Sequence, residues 1–380
     1  MPNHRFLLLP ALFLLLALLS CGGRQEPVWW DSDLDQKLDR EIGQMLLVGF
    51  RGQALDPGSS LSRDLERLNI GGVILFDYDV ELKKPGRNIH SPEQVRRLTR
   101  RLQSLARTPL FVAVDQEGGR VTRLKPEYGF APLPSAAEMG RGRTQRTEQL
   151  AAAMARTMAE LGINLDFAPV LDLNVNPDNP VIGKLGRSFG RDPKRVAAHG
   201  LAFVQGLHRG GVLACVKHFP GHGSSLADSH QGFTDVSATW SREELEPFAA
   251  LIRSKECDMV MTGHLFNSRL DPQHPATLSR KTITGLLRGA LGFDGVVVTD
   301  DLQMGAISRH YGMEQAMELA VNAGADILLL GNNLEYDPNM ARRAHTILKK
   351  LVREERIPRS RIKESYERIM GLKARLGAAG

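Results

Sequence analysis

Several short clusters in this chain combine groups able to attack, to carry protons or to bind. They are Asp115-Gln116-Glu117-Gly118-Gly119-Arg120, Asp166 with Asp172 and the later Arg187, Lys217-His218-Phe219-Pro220-Gly221-His222, His264, and Asp300-Asp301. A further one, Asp228-Ser229-His230, lies in the Gly- and Ser-rich stretch 223–232. A carboxylate held rigidly can act as a nucleophile. Asp300 follows the apolar run Val296–Thr299 and suits that role, whereas Asp301 suits capping of the next helix. Asp228 and His230 stand two residues apart. In extended chain they face the same side, so the carboxylate can hold one ring nitrogen, select the tautomer and raise the basicity of the other. An imidazole with an ordinary pKa near ~6.5 can give a proton and take it back around neutral pH. His230 is therefore the expected acid/base and Asp228 its partner, on a loop whose composition predicts that the pair is displaced without substrate.

A metal centre drawn from His218, His222, His230, His264 and Asp300 is the competing chemistry. His218 and His222 enclose Phe-Pro-Gly, which cannot continue a helix, so they are not the i, i+4 pair of a helical zinc site. Nor does the first apolar run end in an H-x-H pair; it ends Val48-Gly49-Phe50. No metal and no cofactor is expected.

Positioning these groups requires a scaffold, and the apolar pattern supplies one. Apolar runs recur at Met45–Phe50, Gly72–Phe76, Leu110–Val114, Ile163–Val170, Val212–Val216, Met259–Thr262, Val296–Thr299 and Ile327–Leu330. Between them lie segments of helical spacing: Glu93–Ala106, Glu148–Leu161, Arg195–Arg209, Arg242–Ser254, Ile283–Leu291 and Met313–Ala323. Runs that are apolar throughout fit strands buried on both faces of a parallel sheet. Eight strand–helix units predict an α/β fold of the TIM-type, a (β/α)8 barrel with one catalytic domain. A doubly wound open sheet is disfavoured because no run is followed by a G-x-G-x-x-G turn opening a helix. The main polar clusters follow their runs, so a barrel gathers them at the C-terminal face of the strands.

The ends read differently from the body. Arg5 precedes the Leu-rich run Phe6–Leu19, which is shorter than the about twenty residues a membrane-spanning helix needs. Residues 1–20 are expected to be a secretory signal. Leu18-Leu19-Ser20-Cys21-Gly22 is similar to a bacterial lipobox, which would make Cys21 the lipidated first residue of the mature chain. Residues 21–34 are then a tether, with Trp29 and Trp30 able to dock on the body or at the lipid interface, and 35–380 the barrel with C-terminal helices. About 360 residues remain after the signal, more than the roughly 250 of a minimal barrel and too few for two such domains. Cys215 and Cys257 are too few for a disulfide framework and are expected as buried free thiols, unless neighbouring strands pair them. The net charge of +6 is concentrated between Arg342 and Arg375, spaced by Leu, Ile and Met. That spacing predicts a solvated helix face. An anionic membrane surface could attract it, but no nucleic-acid motif accompanies the charge.

Taken together, Asp115–Arg123 (DQEGGRVTR), Phe167–Asp172 with Asn176–Pro180, Arg187–Gly190 (RSFG), Lys217–Gly223 (KHFPGHG), Asp228-Ser229-His230 and Thr299–Met304 (TDDLQM) resemble glycoside hydrolase family 3. The resemblance is to its single-barrel β-N-acetylglucosaminidase branch, over roughly Leu38 to Met370. It implies a retaining β-N-acetylhexosaminidase with Asp300 as nucleophile and the Asp228–His230 pair as acid/base. It implies that Asp115, Arg123, Arg187, Lys217 and His218 bind the non-reducing-end sugar, although Arg123 and Arg187 could instead form salt bridges across the barrel mouth. His222, His264 and Asp172 are expected to support these groups or to fix loops, with direct contact to the sugar the equal alternative for His222 and His264. The implied substrate is an amino-sugar glycan or muropeptide; many relatives of this type act in the cytoplasm, and it is the leader and lipobox that place this chain, expected to be a monomer, on a lipid anchor at the bacterial cell envelope. A phosphorylase or β-glucosidase on the same fold, and a non-catalytic glycan-binding lipoprotein, are the alternatives.

Overall fold

The computed structural model describes residues 32–228 and 232–377. The leader 1–20, Cys21, Trp29, Trp30 and His230 lie outside the described residues. Eight strands form one parallel sheet: β1 Leu46–Gly49, β2 Gly72–Ile74, β3 Phe111–Val114, β4 Leu165–Asp166, β5 Leu213–Phe219, β6 Met259–Thr262, β7 Val296–Thr299 and β8 Leu328–Leu330. Their spatial order is β7-β6-β5-β4-β3-β2-β1-β8. Leu46 pairs with Leu328 between β1 and β8, and a bridge from Val298 to Ile327 joins β7 to β8 and closes the ring. The (β/α)8 barrel expected from the apolar runs is the fold observed, and each run supplies one strand.

The helices are α1 Ser32–Gln44, α2 Ser60–Leu68, α3 Pro92–Leu105, α4 Thr144–Glu160, α5 Pro193–Arg209, α6 Glu246–Ser254, α7 Met313–Ala323, α8 Met340–Arg353 and α9 Arg359–Gly377. A π-helical segment, Lys281–Ala290, takes the helix position between β6 and β7. Local chemistry sets several starts. Ser91 and Asp192 accept backbone N–H groups of Gln94 and Lys194, and a proline follows each, the usual pairing of N-cap and first helical residue. The helix expected from Arg242 opens instead as a 3-10 turn, Arg242–Leu245, because Pro247 has no N–H to give. The helix α1 begins at Ser32, so the body starts slightly before the expected end of the tether; acidic Asp33 and Asp35 suit its first turn.

Two strands differ from expectation. The ladder of β4 covers only Leu165–Asp166 of the expected Ile163–Val170, with one more bridge from Val170 to Lys217. Pro169 cannot donate within a sheet. The strand β5 runs on through Lys217 and His218 to Phe219, since both polar side chains find buried partners. Cys215 and Cys257 are free thiols.

The basic C-terminal segment is not simply a solvated face. Arg342 reaches Asp64 at 2.9 Å, Lys349 reaches Asp35 and Asp39 at 2.9 and 2.7 Å, and Arg356 reaches Glu314 at 2.6 Å. From α9, Arg361 and Arg368 meet Asp326 just before β8, and Arg375 meets Asp258 just before β6. Lys373 is buried, donating to Gln44 Oε1 and to the Gly71 carbonyl, each at 2.7 Å, beneath the Phe111 ring. The α9 partners lie at the N-terminal ends of the strands, whereas those of Arg342, Lys349 and Arg356 are on neighbouring helices. Part of the charge that composition alone assigns to solvent, that of α9, therefore closes the floor of the barrel.

Candidate active site

At the opposite end of the strands a cavity of about 380 Å³ opens among the loops. That volume falls in the lower part of the roughly 300–1,000 Å³ usual for small-molecule sites. Asp115, Arg123, Arg187, Lys217, His218, His222 and Asp300 all line it. The Asp115–Arg123 turn follows β3. Its backbone passes through positive φ at Gly118, where a Cβ would strike the Pro134 carbonyl at 2.2 Å, so only glycine fits.

A charge network organises the floor. Lys217 donates to Asp115 Oδ1 at 2.8 Å and lies 2.7 Å from Glu117 Oε1. Arg187 forks onto the same Glu117, with Nε and Nη2 each 2.7 Å from a carboxylate oxygen, and its Nη1 donates to the Val181 carbonyl. Arg123 donates to Asp115 Oδ2 at 3.2 Å. Burial alone would raise the Glu117 carboxyl, but the adjoining Arg187 and Lys217 outweigh it and hold it at about 2. Asp115 is likewise lowered against the effect of burial, by Lys217 and Arg123. These two carboxylates stay ionised near neutral pH.

His218 on β5 and His222 in the turn after it are fixed from below. Asp172, fully buried, sits 2.6 Å from His218 Nδ1 and accepts the backbone N–H of His222 at 2.7 Å. His218 Nε2 faces Arg187 at 3.3 Å. Burial, and then repulsion from His218, push the His222 imidazole down to about 4, so it is neutral at physiological pH. His264 does not line the cavity. Its Nδ1 meets Thr277 Oγ1 and its Nε2 the Asp301 carbonyl, both at 2.9 Å, which fixes the chain beside Asp300.

Asp300, half-buried, stands one residue past β7. Its backbone N–H donates to the Thr262 carbonyl at 3.1 Å, and its Oδ1 accepts from Asp301 N–H at 2.8 Å. Asp301 accepts from the N–H groups of Gln303 and Gly331, so it holds the turn after β7 and does not cap the next helix as expected; that helix, Gly305–Ser308, starts after Met304 without a side-chain cap. Asp228 is the last described residue before His230, which lies outside the described residues.

The chain leading to Asp228 leaves the cavity through a clamped turn. Asn179 donates to the His222 carbonyl at 2.7 Å, and Glu244 Oε2 accepts from Gly223 and Ser224 N–H at 3.0 and 3.3 Å. A Cβ at Gly223 would stand 1.7 Å from the Leu173 carbonyl, so this turn packs as closely as glycine allows. Burial pushes the Glu244 carboxyl up to about 7. On the far side, Thr234–Asp235 pairs with Leu265–Phe266, and the Phe233 ring packs against Phe266 with centroids 5.1 Å apart.

Four residues of the site were not singled out by the sequence reading: Asp77, Glu117, Asn179 and Glu244. Glu117 lies within the DQEGGR motif, and Asp77, buried and paired to Lys125 at 2.6 Å, directly follows the second apolar run. The rule that found the other clusters applies to both. Asn179 follows no apolar run but lies within the Asn176–Pro180 segment that carries part of the resemblance; Glu244 has neither signal. Among the described residues no three His, Cys, Asp or Glu side chains converge to hold a metal ion.

Known proteins carry the same scaffold. The chain matches the Glycosyl hydrolase family 3 N terminal domain over residues 37–372. A Beta-hexosaminidase of Tolumonas auensis is 38% identical over 294 residues, which cover 76% of this chain and 83% of that protein. Beta-hexosaminidase A of Pseudoalteromonas piscicida is 36% identical over 328 residues, 76% of this chain and 52% of that protein. This chain thus spans about half the length of that relative. The solved structure of a glycoside hydrolase family 3 beta-N-acetylglucosaminidase from Paenibacillus sp. str. FPU-7 superimposes with a TM-score of 0.82 at 38% identity, over 90% of this chain and 63% of that one. With a closed barrel, a rim that carries the expected motifs and a family match across nearly all of the described residues, the chain belongs to glycoside hydrolase family 3.

Proposed function

We propose that this protein is a retaining exo-β-N-acetylhexosaminidase that removes terminal β-linked N-acetylglucosamine. The observation that carries the reading is that Asp300 opens into the same cavity as the Asp115–Lys217 pair. A carboxylate nucleophile and a set of ionised sugar-binding groups thus share one space of sugar-ring dimensions. The names of the relatives support the same substrate class.

In the first step an Asp300 oxygen attacks the anomeric carbon while His230 gives its proton to the glycosidic oxygen, and the aglycone leaves. In the second, neutral His230 takes a proton from water, the water oxygen bonds to the anomeric carbon, and the Asp300 carboxylate is released. Asp228 orients the imidazole. Asp115 accepts from ring hydroxyls, and Arg123 and Lys217 donate to hydroxyl or acetamido oxygens. The Arg187 fork is engaged by Glu117, so it contributes field and rigidity to the pocket with little donor capacity to spare.

The test is a panel of fluorogenic glucosaminide, glucoside and galactosaminide substrates, run with and without phosphate. Free N-acetylglucosamine as the product in both conditions is the expected result; a sugar 1-phosphate in phosphate buffer would make the enzyme a phosphorylase. Asp300→Ala is expected to lower turnover of the aryl glucosaminide by roughly 10³-fold or more. Near-normal activity would reject the nucleophile.

The natural substrate is read as peptidoglycan fragments or other amino-sugar glycans at the cell envelope, met by an enzyme anchored through lipid on Cys21. Cys21→Ser is then expected to move the protein from the membrane to the soluble fraction. Unchanged membrane association on fractionation would place the anchor elsewhere.

A further inference from the structure

The chain that leaves β5 joins no strand between Pro220 and Asp228, yet Gly221 to Ser225 are buried. Their backbone is held from two sides, chiefly by side chains. From the loop after β4, Asn179 donates to the carbonyls of His222 and Gly223 at 2.7 and 3.3 Å. Asn176 donates from its side chain to the Ser225 carbonyl at 3.0 Å and from its backbone to the Gly223 carbonyl at 3.2 Å. From the other side, Glu244 in the 3-10 turn Arg242–Leu245 takes the Gly223 and Ser224 N–H groups on one oxygen. Trp240, just ahead of that turn, donates to the Pro220 carbonyl at 3.0 Å. Turn and carboxylate are cut to one another: a Cβ at Gly221 would stand 2.6 Å from the Glu244 Cβ. None of Asn176, Asn179, Trp240 and Glu244 lines the cavity, so whatever they lend to the reaction passes through the chain they hold.

The grip ends at Ser225. Leu226 beyond it has 72% of its surface exposed, and His230 follows Ser225 by five positions. An arm of that length reaches at most about 17 Å. A tilt of about 10° at its root would carry its end by up to about 3 Å, as much as the whole hydrogen bond along which a proton passes. We infer that Glu244 is a positioning residue for the acid/base: by fixing two successive N–H groups at the root of the arm, it sets where the Asp228–His230 pair can reach. Without the Glu244 oxygen two buried N–H groups lose their acceptor, and the turn must shift to find another. This role rests on the hexosaminidase reading with His230 as acid/base.

Two substrates isolate proton donation: methyl β-N-acetylglucosaminide, whose leaving group needs a proton, and the 2,4-dinitrophenyl glycoside, whose leaving group does not. The ratio of their kcat/KM values is blind to how much of the protein is folded. Glu244→Ala is expected to lower the methyl-to-dinitrophenyl ratio by roughly 10–100-fold. Glu244→Gln keeps an acceptor for both N–H groups and is expected to restore the ratio. Should Glu244→Ala not fold, Glu244→Asp, which draws the acceptor back by one methylene, is expected to move the ratio in the same direction. An unchanged ratio in the variant that folds, with equal losses on both substrates or none, would overturn the role. So would a ratio that Glu244→Gln lowers as far as Glu244→Ala does. His230→Ala on the same two substrates checks the reading beneath: an unchanged ratio there would remove the acid/base itself. A ratio lowered by His230→Ala and not by Glu244→Ala would remove only the part given to Glu244.

Discussion

Lys217 keeps its charge while buried because Asp115 and Glu117 lie 2.8 and 2.7 Å away. Removing either carboxylate leaves a buried charge short of a partner, a loss of several kcal/mol on the order of 3–5. The positions of Asp115, Lys217, His218 and Asp300 were legible because each follows an apolar run, and in a barrel such positions converge. Which groups pair was not legible. The Arg187 fork on Glu117 joins residues 70 positions apart, and no spacing rule reaches that far. At this scale the acid/base assignment has a direct test. His230→Ala is expected to lower turnover of substrates with poor leaving groups by roughly 10²–10⁴-fold, and to cost activated aryl glycosides far less. Steady-state kinetics giving equal losses on both would end the assignment.

At the scale of elements, strands apolar on both faces announce themselves, and all eight did. The end of β5 was hidden because Lys217 and His218 are polar; only the pairing with Asp115, Glu117 and Asp172 makes them strand residues. The turn between β5 and Asp228 was equally hidden, since its clamp comes from Asn179 and Glu244 on other elements. Its physics predicts a pH signature. The Glu244 carboxyl is raised by burial to about 7, so between its ordinary value and 7 the folded chain holds a proton that the unfolded chain has lost. The contribution of this group to stability is therefore present at low pH and lost as pH rises toward 7. Glu244→Gln removes the titration and keeps an acceptor for the two N–H groups. Relative to wild type, the glutamine variant is expected to gain up to about 3 kcal/mol on going from pH 4.5 to pH 8. Denaturant unfolding at the two pH values with an unchanged difference would show that Glu244 does not titrate there.

For the whole molecule, the barrel depends on a helix far from the rim that holds the cavity. The helix α9 buries Ile362, Ile369 and Leu372 and delivers Lys373, Arg361, Arg368 and Arg375 to the starts of the strands. Three buried aliphatic side chains are worth about 2 kcal/mol each, and Asp326 and Asp258 would lose their cations as well. The sum rivals the roughly 5–15 kcal/mol that holds a typical domain together. A chain ending at Pro358 is expected to lose cooperative unfolding by circular dichroism; a melting point within about 5 °C of the full chain would contradict this. The sequence showed this segment as basic and helical but not where it docks, because the carboxylates it meets are scattered from Asp35 to Asp326.

That docking also orders events in time. Gln44 stands at the entrance to β1, and the ammonium that completes it arrives 329 residues later. A nascent chain emerging from the ribosome, or one drawn by its front end through a pore, can collapse its early strands but cannot floor the barrel until the region around Lys373 has followed. Synthesis halted earlier leaves the barrel without its floor, and the stability of the fold becomes a report on how far translation went.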